Sequence, residues 1–152
     1  ETRGRGRDIV VQSFSVDEPG SLAADFLLPT GSVLDPDFTA LRPRRVLLTL
    51  GPRGAGTPMR PSRASVDILV RGSRTWLLQA PSDATHSAMH PADATQATPW
   101  PWPKESLYSC NQEAGDIIFL PDMWARATIH DDESLGILVE TETGANEFSI
   151  DL

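Results

Sequence analysis

Short apolar segments separated by glycine and proline restrict the fold of this chain more than any other feature. Each segment has four to seven residues, which suits strands and is too short for most helices. The clearest are Val46–Leu50, Val66–Val70, Arg74–Gln79, Ile117–Leu120, Trp124–His130, Leu135–Glu140 and Glu147–Ile150. The connection at Gly72-Ser73 between the second and third of these predicts a tight hairpin. Many short strands between turns predict a mainly all-β fold, an antiparallel barrel or sandwich.

Two stretches depart from this pattern. Near the start, the sequence predicts a strand at Asp8–Phe14 and a short helix at Ser21–Leu28. Pro81–Pro103 is rich in Ala, Thr, Ser and Pro, which predicts a long loop, and its tryptophans are expected to hold that loop against a sheet. Because 152 residues suffice for one domain, we expect residues 46–152 to form a barrel and residues 1–45 to pack on it as an extension.

The charge is divided between the two halves of the chain. The 13 basic and 21 acidic residues give a net charge of −8, which argues against binding to nucleic acid. Eight arginines and a single acid, Asp67, lie between Arg42 and Arg74, whereas eleven acids and a single base, Arg126, lie between Glu105 and Leu152. The two oppositely charged stretches are plausible docking surfaces for protein partners. No apolar run is long enough to span a bilayer.

Two separated motifs resemble those of the JmjC branch of the cupin superfamily. The stretch from Gly115 to His130 has a GD turn, an apolar strand, a proline and a Trp-containing turn, like the second motif of that family. The glycine-rich turn Gly51–Gly56, followed by Arg60 and by Gly72-Ser73-Arg74-Thr75-Trp76, is similar to the first motif. The resemblance covers Val46–Glu140 and implies a double-stranded β-helix, a jelly-roll barrel with short peripheral helices.

Active members of that family hold Fe(II) with two histidines and a carboxylate or with three histidines, and they bind 2-oxoglutarate as cosubstrate. By the resemblance, Arg60, Ser62 and Arg126 stand at the three metal-ligand positions. Because a guanidinium has no lone pair to donate, we expect no metal, no cofactor and no catalytic residue. The resemblance also places Arg74 where the family pairs a lysine with the cosubstrate carboxylate, and Thr57 near the cosubstrate, so an anion-holding remnant is expected.

Other residues that could carry chemistry have simpler explanations in the sequence. His86 and His90, with Asp93, would suit a metal only if their segment were helical, and they lie in the long loop. We interpret the remaining candidates as a strand-end histidine, a turn-ordering aspartate and a strand cysteine. These are His130, Asp116 and Cys110, respectively.

Three functions follow from these observations. The favoured hypothesis is a catalytically inactive JmjC-like cupin that acts as a structural or protein-interaction module, as one subunit of a larger assembly. The alternative is a metal-free cupin in which Thr57, Arg60, Arg74 and Arg126 bind a small anion, which requires the arginines to point inward and not to be neutralised by Asp67 or Asp116. A less favoured alternative is an Fe(II)- and 2-oxoglutarate-dependent oxygenase.

Two features bear on cellular location. The chain begins with Glu1 rather than methionine, which suggests a processed product. Together with a resemblance to lumenal family members, this leads us to expect an organelle, either the endoplasmic reticulum lumen or the mitochondrion.

Overall fold

A computed structural model describes residues 9–15, 42–94 and 102–142, and these residues form a mainly β structure. The nine strands are β1 (Val10–Ser15), β2 (Arg42–Gly51), β3 (Gly56–Pro61), β4 (Ser65–Arg71), β5 (Ser73–Gln79), β6 (Tyr108–Glu113), β7 (Ile117–Leu120), β8 (Ala125–His130) and β9 (Ser134–Glu142). One short helix, α1 (Pro91–Ala94), and two single 3₁₀ turns, Pro81–Asp83 and Lys104–Ser106, connect them. The predicted all-β class is therefore confirmed.

The predicted strand positions agree with the structure to within a few residues. Val46–Leu50 is the central part of a longer β2, and Ile117–Leu120 coincides with β7. The predicted helix at Ser21–Leu28 and the predicted strand at Glu147–Ile150 lie outside the described residues.

The strands form two antiparallel sheets. The first, sheet A, has the order β1-β2-β9-β4-β7, and the second, sheet B, has the order β3-β8-β5-β6. Strands β2 and β9 form the longest ladder, from Arg42 opposite Glu142 to Gly51 opposite Ser134. Neighbouring strands in each sheet are distant in the sequence, so most of the pairing is non-local.

The hairpin predicted at Gly72-Ser73 is wrong. Strand β4 pairs with β7 and β9 in sheet A, whereas β5 pairs with β6 and β8 in sheet B. Gly72 instead turns the chain from one sheet to the other, at a φ of 83°. A Cβ atom there would lie 2.2 Å from the carbonyl oxygen of Glu133, so only glycine fits at this turn.

The two faces of each sheet differ in chemical character. Successive side chains of a strand point to opposite faces. On sheet B, Met59, Leu77 and Ala127 form a buried apolar cluster with Trp102. Their neighbours along the strands, such as Trp76, Arg126 and Thr128, face the other way and line a cavity shared with sheet A. The space between the sheets is therefore largely polar, and the apolar clusters lie on the outward faces.

The described parts of the long loop pack against sheet B. Trp102 is buried in the cluster with Met59 and Leu77, and α1 contributes Ala94 to the same cluster. The prediction that a tryptophan holds this loop against a sheet is thus confirmed for Trp102, while Trp100 lies outside the described residues. None of the helices in the described ranges has the length and apolar character needed to cross a bilayer.

Candidate functional site: an arginine-lined cavity between the sheets

The five residues that the resemblance places at the metal and anion positions line one cavity between the two sheets. The cavity has a volume of about 660 Å³, which is within the range of small-molecule sites. The candidates that line it are Thr57, Arg60, Ser62, Arg74 and Arg126. They come from β3, β5 and β8 and from the residue that follows β3, so the non-local pairing of sheet B brings them together.

The residues that line the cavity form three layers, from the solvent inwards. The outer layer contains arginines from both sheets. Arg60 on β3 lies opposite Arg126 on β8, and Arg45 on β2 lies opposite Glu140 on β9. Arg45 and Arg60 are exposed, which places this layer towards solvent. Arg45 and Glu140 form an ion pair of 3.8 Å. The outer layer thus combines strong positive charge with access from solution.

Arg126 is the most deeply placed cation of the outer layer. It is only 9% exposed, and its guanidinium donates a hydrogen bond to the hydroxyl of Ser65. Burial, with the like charge of Arg60, lowers the pKa of Arg126 to about 10, against the opposing effects of Asp67 and Glu140. Arg126 therefore remains protonated at neutral pH while lacking a close carboxylate among the described residues.

The middle layer is mostly apolar. Leu47 lies opposite Leu138 in sheet A, and Trp76 lies opposite Thr128 in sheet B. The hydroxyl oxygens of Thr57 and Thr128 are 2.9 Å apart and share a hydrogen bond. The indole N–H of Trp76 donates to Gln112 Oε1 over 2.8 Å, which satisfies the polar edge of the ring. This layer offers hydrocarbon and aromatic surface with the two paired hydroxyls.

The inner layer is closed by a buried ion pair between the sheets. Arg74 Nη1 lies 3.4 Å from the carboxylate of Asp67, and the side chains are 3% and 2% exposed. Arg74 also donates through Nε to Ser134 Oγ over 2.9 Å and through Nη2 to Thr49 Oγ1 over 2.9 Å. Gln112 donates to Asp67 Oδ1 over 3.1 Å. Every guanidinium nitrogen of Arg74 is therefore bonded within the protein.

The charges of this pair oppose the cost of its burial. Desolvation raises the pKa of Asp67, whereas Arg74 and the hydrogen bond from Gln112 act to lower it. Desolvation likewise lowers the pKa of Arg74, against the attraction of Asp67. Each charge is held in the interior by the other, so removing either one leaves an uncompensated buried ion.

Two glycines leave room for the side chains of this network, because a Cβ atom at either position would collide with them. A Cβ on Gly136 would lie 2.7 Å from Arg74 Nη2, and a Cβ on Gly51 would lie 2.6 Å from the ring of His130. His130 is buried at the end of β8, with Nδ1 2.8 Å from Ser134 Oγ and 3.3 Å from the carbonyl oxygen of Gly51. Burial, with the nearby charge of Arg74, lowers the pKa of His130, so its ring is neutral at pH 7.

The structure gives the remaining sequence candidates ordinary roles. Asp116 Oδ2 accepts the backbone N–H of Glu113 over 2.8 Å, so the aspartate orders its turn as predicted. Cys110 lies on β6, and burial raises the pKa of its thiol, which keeps it protonated. His90 Nδ1 accepts the backbone N–H of Ala92 over 3.2 Å at the start of α1. Among the described residues, no three His, Cys, Asp or Glu side chains group as a metal site, and this includes His86, His90 and Asp93.

Several cavity residues were missed by the sequence reasoning. Thr49 and Leu138 are inward-facing positions of strands, and Gln112 and Ser134 bond to the buried pair. Alternation along β2 and β9 could have indicated the first two once the inward face was known. Nothing local in the sequence distinguishes Gln112 or Ser134 from exposed polar residues, because their partners lie on other strands.

The described residues thus define an all-β protein whose two antiparallel sheets enclose an arginine-lined cavity. No protein-family model matches the chain, and no curated protein sequence matches it significantly. The assignment of function therefore depends on the fold, the cavity and the residues that line it.

Proposed function

We propose that this protein is a catalytically inactive, metal-free barrel of the double-stranded β-helix type that binds a small anion between its sheets. The strand order supports the barrel. Counted from β2, the eight strands follow the orders 1-8-3-6 in sheet A and 2-7-4-5 in sheet B. This is the order of a jelly roll, with β1 added at one edge.

The residues at the resemblance-derived ligand positions do not fit a metal ion. Arg60 and Arg126 face each other across β3 and β8, so two guanidinium groups occupy the place of two ligands. A guanidinium donates hydrogen bonds, has no free lone pair and repels a cation. Ser62 offers one neutral hydroxyl, and Arg126 donates to that of the nearby Ser65. This donor set supports the absence of iron chemistry.

The position expected to hold the cosubstrate carboxylate is already filled from within the chain. Arg74 pairs with Asp67, so a carboxylate of the protein takes the role that a 2-oxoglutarate carboxylate has in active members of the family. The condition that Asp67 should not neutralise Arg74 is therefore not met. Anion binding has to depend on the outer layer.

A single observation carries the proposal: the cavity has a strong excess of positive charge. Five arginines and two carboxylates line it, which leaves three guanidinium charges in excess. Arg74 pairs with Asp67 and Arg45 with Glu140. Within the described ranges, Arg60, Arg63 and Arg126 have no carboxylate within ion-pair distance. Convergent guanidinium groups in a partly desolvated cleft bind carboxylates and phosphates well.

Thermal-shift and calorimetric titrations with phosphate, citrate and acetate test this proposal, at constant ionic strength set with chloride. A ligand at one hundred times its Kd stabilises the folded protein by about 2.7 kcal/mol, which gives a readily measured increase in Tm. We expect Arg126→Gln to abolish the shift. Arg53→Gln is the matched control, because Arg53 is exposed on the β2–β3 turn and does not line the cavity. An equal response of both variants, or none from the wild type, contradicts the proposal.

The barrel assignment has a test of its own. If Arg60, Ser62 and Arg126 occupy ligand positions, then the triple variant Arg60→His, Ser62→Asp and Arg126→His restores two histidines and a carboxylate. We expect this variant to bind one Co²⁺ with visible d–d bands, and the wild type to bind none. A folded triple variant without affinity for Co²⁺ would count against the correspondence.

A role as a protein-interaction module is the second candidate, and one surface favours it. Tyr108 is 58% exposed, and its ring centroid lies 5.9 Å from that of Trp124. Met123, the neighbour of Trp124, is 56% exposed. Exposed aromatic and methionine side chains in one patch are typical of protein interfaces. Native purification followed by mass spectrometry should recover a stoichiometric partner that Tyr108→Ser with Met123→Ser releases.

A further inference from the structure

The cavity changes character with depth, and this change restricts the ligand. Its outer layer carries Arg60, Arg63 and Arg126, which have no close carboxylate within the described residues. Its middle layer is lined by Leu47, Leu138 and the ring of Trp76. A ligand whose anionic group contacts the outer arginines therefore places its remaining atoms against hydrocarbon.

The inner layer has no positive charge left to offer. Arg74 is bonded to Asp67, Ser134 and Thr49 through its three guanidinium nitrogens. A second carboxylate on the ligand would approach Asp67, which is 1% exposed and fully committed to Arg74 and Gln112. Two carboxylates close together in a buried site repel each other, and burying the second one is costly without a free cation.

We propose that the ligand is a monoanion with a short apolar body, and that the cavity rejects dianions with a carboxylate at each end. This inference depends on the proposed anion site and deepens it. The head group, a carboxylate, contacts Arg126 and Arg60. The body lies between Leu47 and Leu138 on one sheet and Trp76 on the other, and it ends before the Asp67–Arg74 pair.

Isothermal titration of the wild-type protein with matched acids tests this inference. Acetate, butyrate and hexanoate share the head group and differ in the length of the body, and each added methylene that is buried should increase affinity about fourfold. Adipate has the same six carbons as hexanoate and a second carboxylate. We expect adipate to bind at least tenfold more weakly than hexanoate.

Variants in the middle and inner layers test which residues determine the affinity for each acid. Leu138→Asn should lower the affinity for hexanoate and leave that for acetate unchanged, whereas Val70→Asn, at an exposed position outside the cavity, should change neither. Asp67→Asn should remove the charge that neutralises Arg74 and raise the affinity for adipate relative to hexanoate. If Asp67→Asn does not fold, the wild-type comparison of hexanoate with adipate still decides.

The outcomes separate this inference from the proposal beneath it. If phosphate and acetate bind but hexanoate binds no better than acetate, the proposal that the ligand has an apolar body is wrong, while the proposed anion site stands. If adipate equals hexanoate, the exclusion of dianions is wrong. If no anion binds at all, the anion site fails and this inference fails with it.

Discussion

Breaking the buried Asp67–Arg74 pair should be the most destabilising single change in the cavity. Asp67→Ala leaves the guanidinium of Arg74 in the interior with only neutral partners, Ser134 and Thr49. The side chains of the pair are 3% and 2% exposed, so the charge left on Arg74 is poorly solvated. Removing one partner of such a pair typically costs about 3–5 kcal/mol.

That loss is large for a domain of this size. Domains are usually stable by about 5–15 kcal/mol, and 1 kcal/mol shifts Tm by roughly 2–4 °C at 150 residues or more. Asp67→Ala should therefore lower Tm by roughly 6–20 °C. Asp67→Asn keeps one acceptor oxygen for Gln112 and Arg74 but loses the charge and the second acceptor oxygen, so it should cost less than Asp67→Ala.

Urea unfolding followed by circular dichroism measures these differences, and an exposed ion pair provides the control. Arg71 and Glu133 are 3.7 Å apart, and their side chains are 74% and 63% exposed. Exposed pairs contribute little, so Glu133→Ala should change the free energy of unfolding by less than about 1 kcal/mol. The double variant Asp67→Ala with Arg74→Met removes the unpaired charge and should be more stable than Asp67→Ala alone. If Asp67→Ala costs no more than Glu133→Ala, the account of the pair is refuted.

Three further predictions follow from other sites. Because burial lowers the pKa of His130 below its usual 6.5, the unfolded chain binds more protons, so stability should fall as pH drops below 6.5, by up to about 1.4 kcal/mol per pH unit. Urea unfolding at pH 7.5 and 5.5 should show a smaller decrease for His130→Asn, and an equal decrease would contradict this role. Met123 has a φ of 61°, so Met123→Asn should stabilise the protein by up to about 1 kcal/mol, whereas Met89→Asn, at an exposed position with ordinary φ, should not. Because burial raises the pKa of the Cys110 thiol, native protein at pH 8 should react more slowly with a disulfide reagent than urea-unfolded protein, and equal rates would show that the thiol is not protected.

Local sequence signals predicted the strands well and their pairing poorly. The apolar runs that became β2 and β7 were found because strand periodicity and turn residues act over a few positions. The predicted hairpin at Gly72 failed because a turn residue specifies a change of direction but not the strand that comes alongside. Pairing in this fold joins distant segments, such as β2 with β9. That choice depends on burial across the whole domain, which no short window contains.

For the candidate site too, the sequence predicted the residues better than their contacts. Motif resemblance selected Arg60, Arg74 and Arg126, and the cavity contains all three. The sequence could name Asp67 as a possible neutralising group but could not decide which arginine it meets. Asp67 lies only seven positions from Arg74, yet the two belong to different sheets and meet across the interior. Their contact follows from how the sheets face each other.

If Arg60, Ser62 and Arg126 stand at metal-ligand positions, as proposed, the charges in the cavity are consistent with that correspondence. A metal dication in a barrel supplies positive charge that attracts anionic ligands, and histidine ligands contribute none when neutral. Arginines at two of the three positions supply comparable charge without a metal, in the outer layer where Arg60 and Arg126 face each other. Deeper in the cavity, Asp67 has the opposite effect, since it cancels Arg74. The outer layer thus has an excess of positive charge while the inner layer is neutral, and under the proposed function this gradient favours a ligand with one charged end.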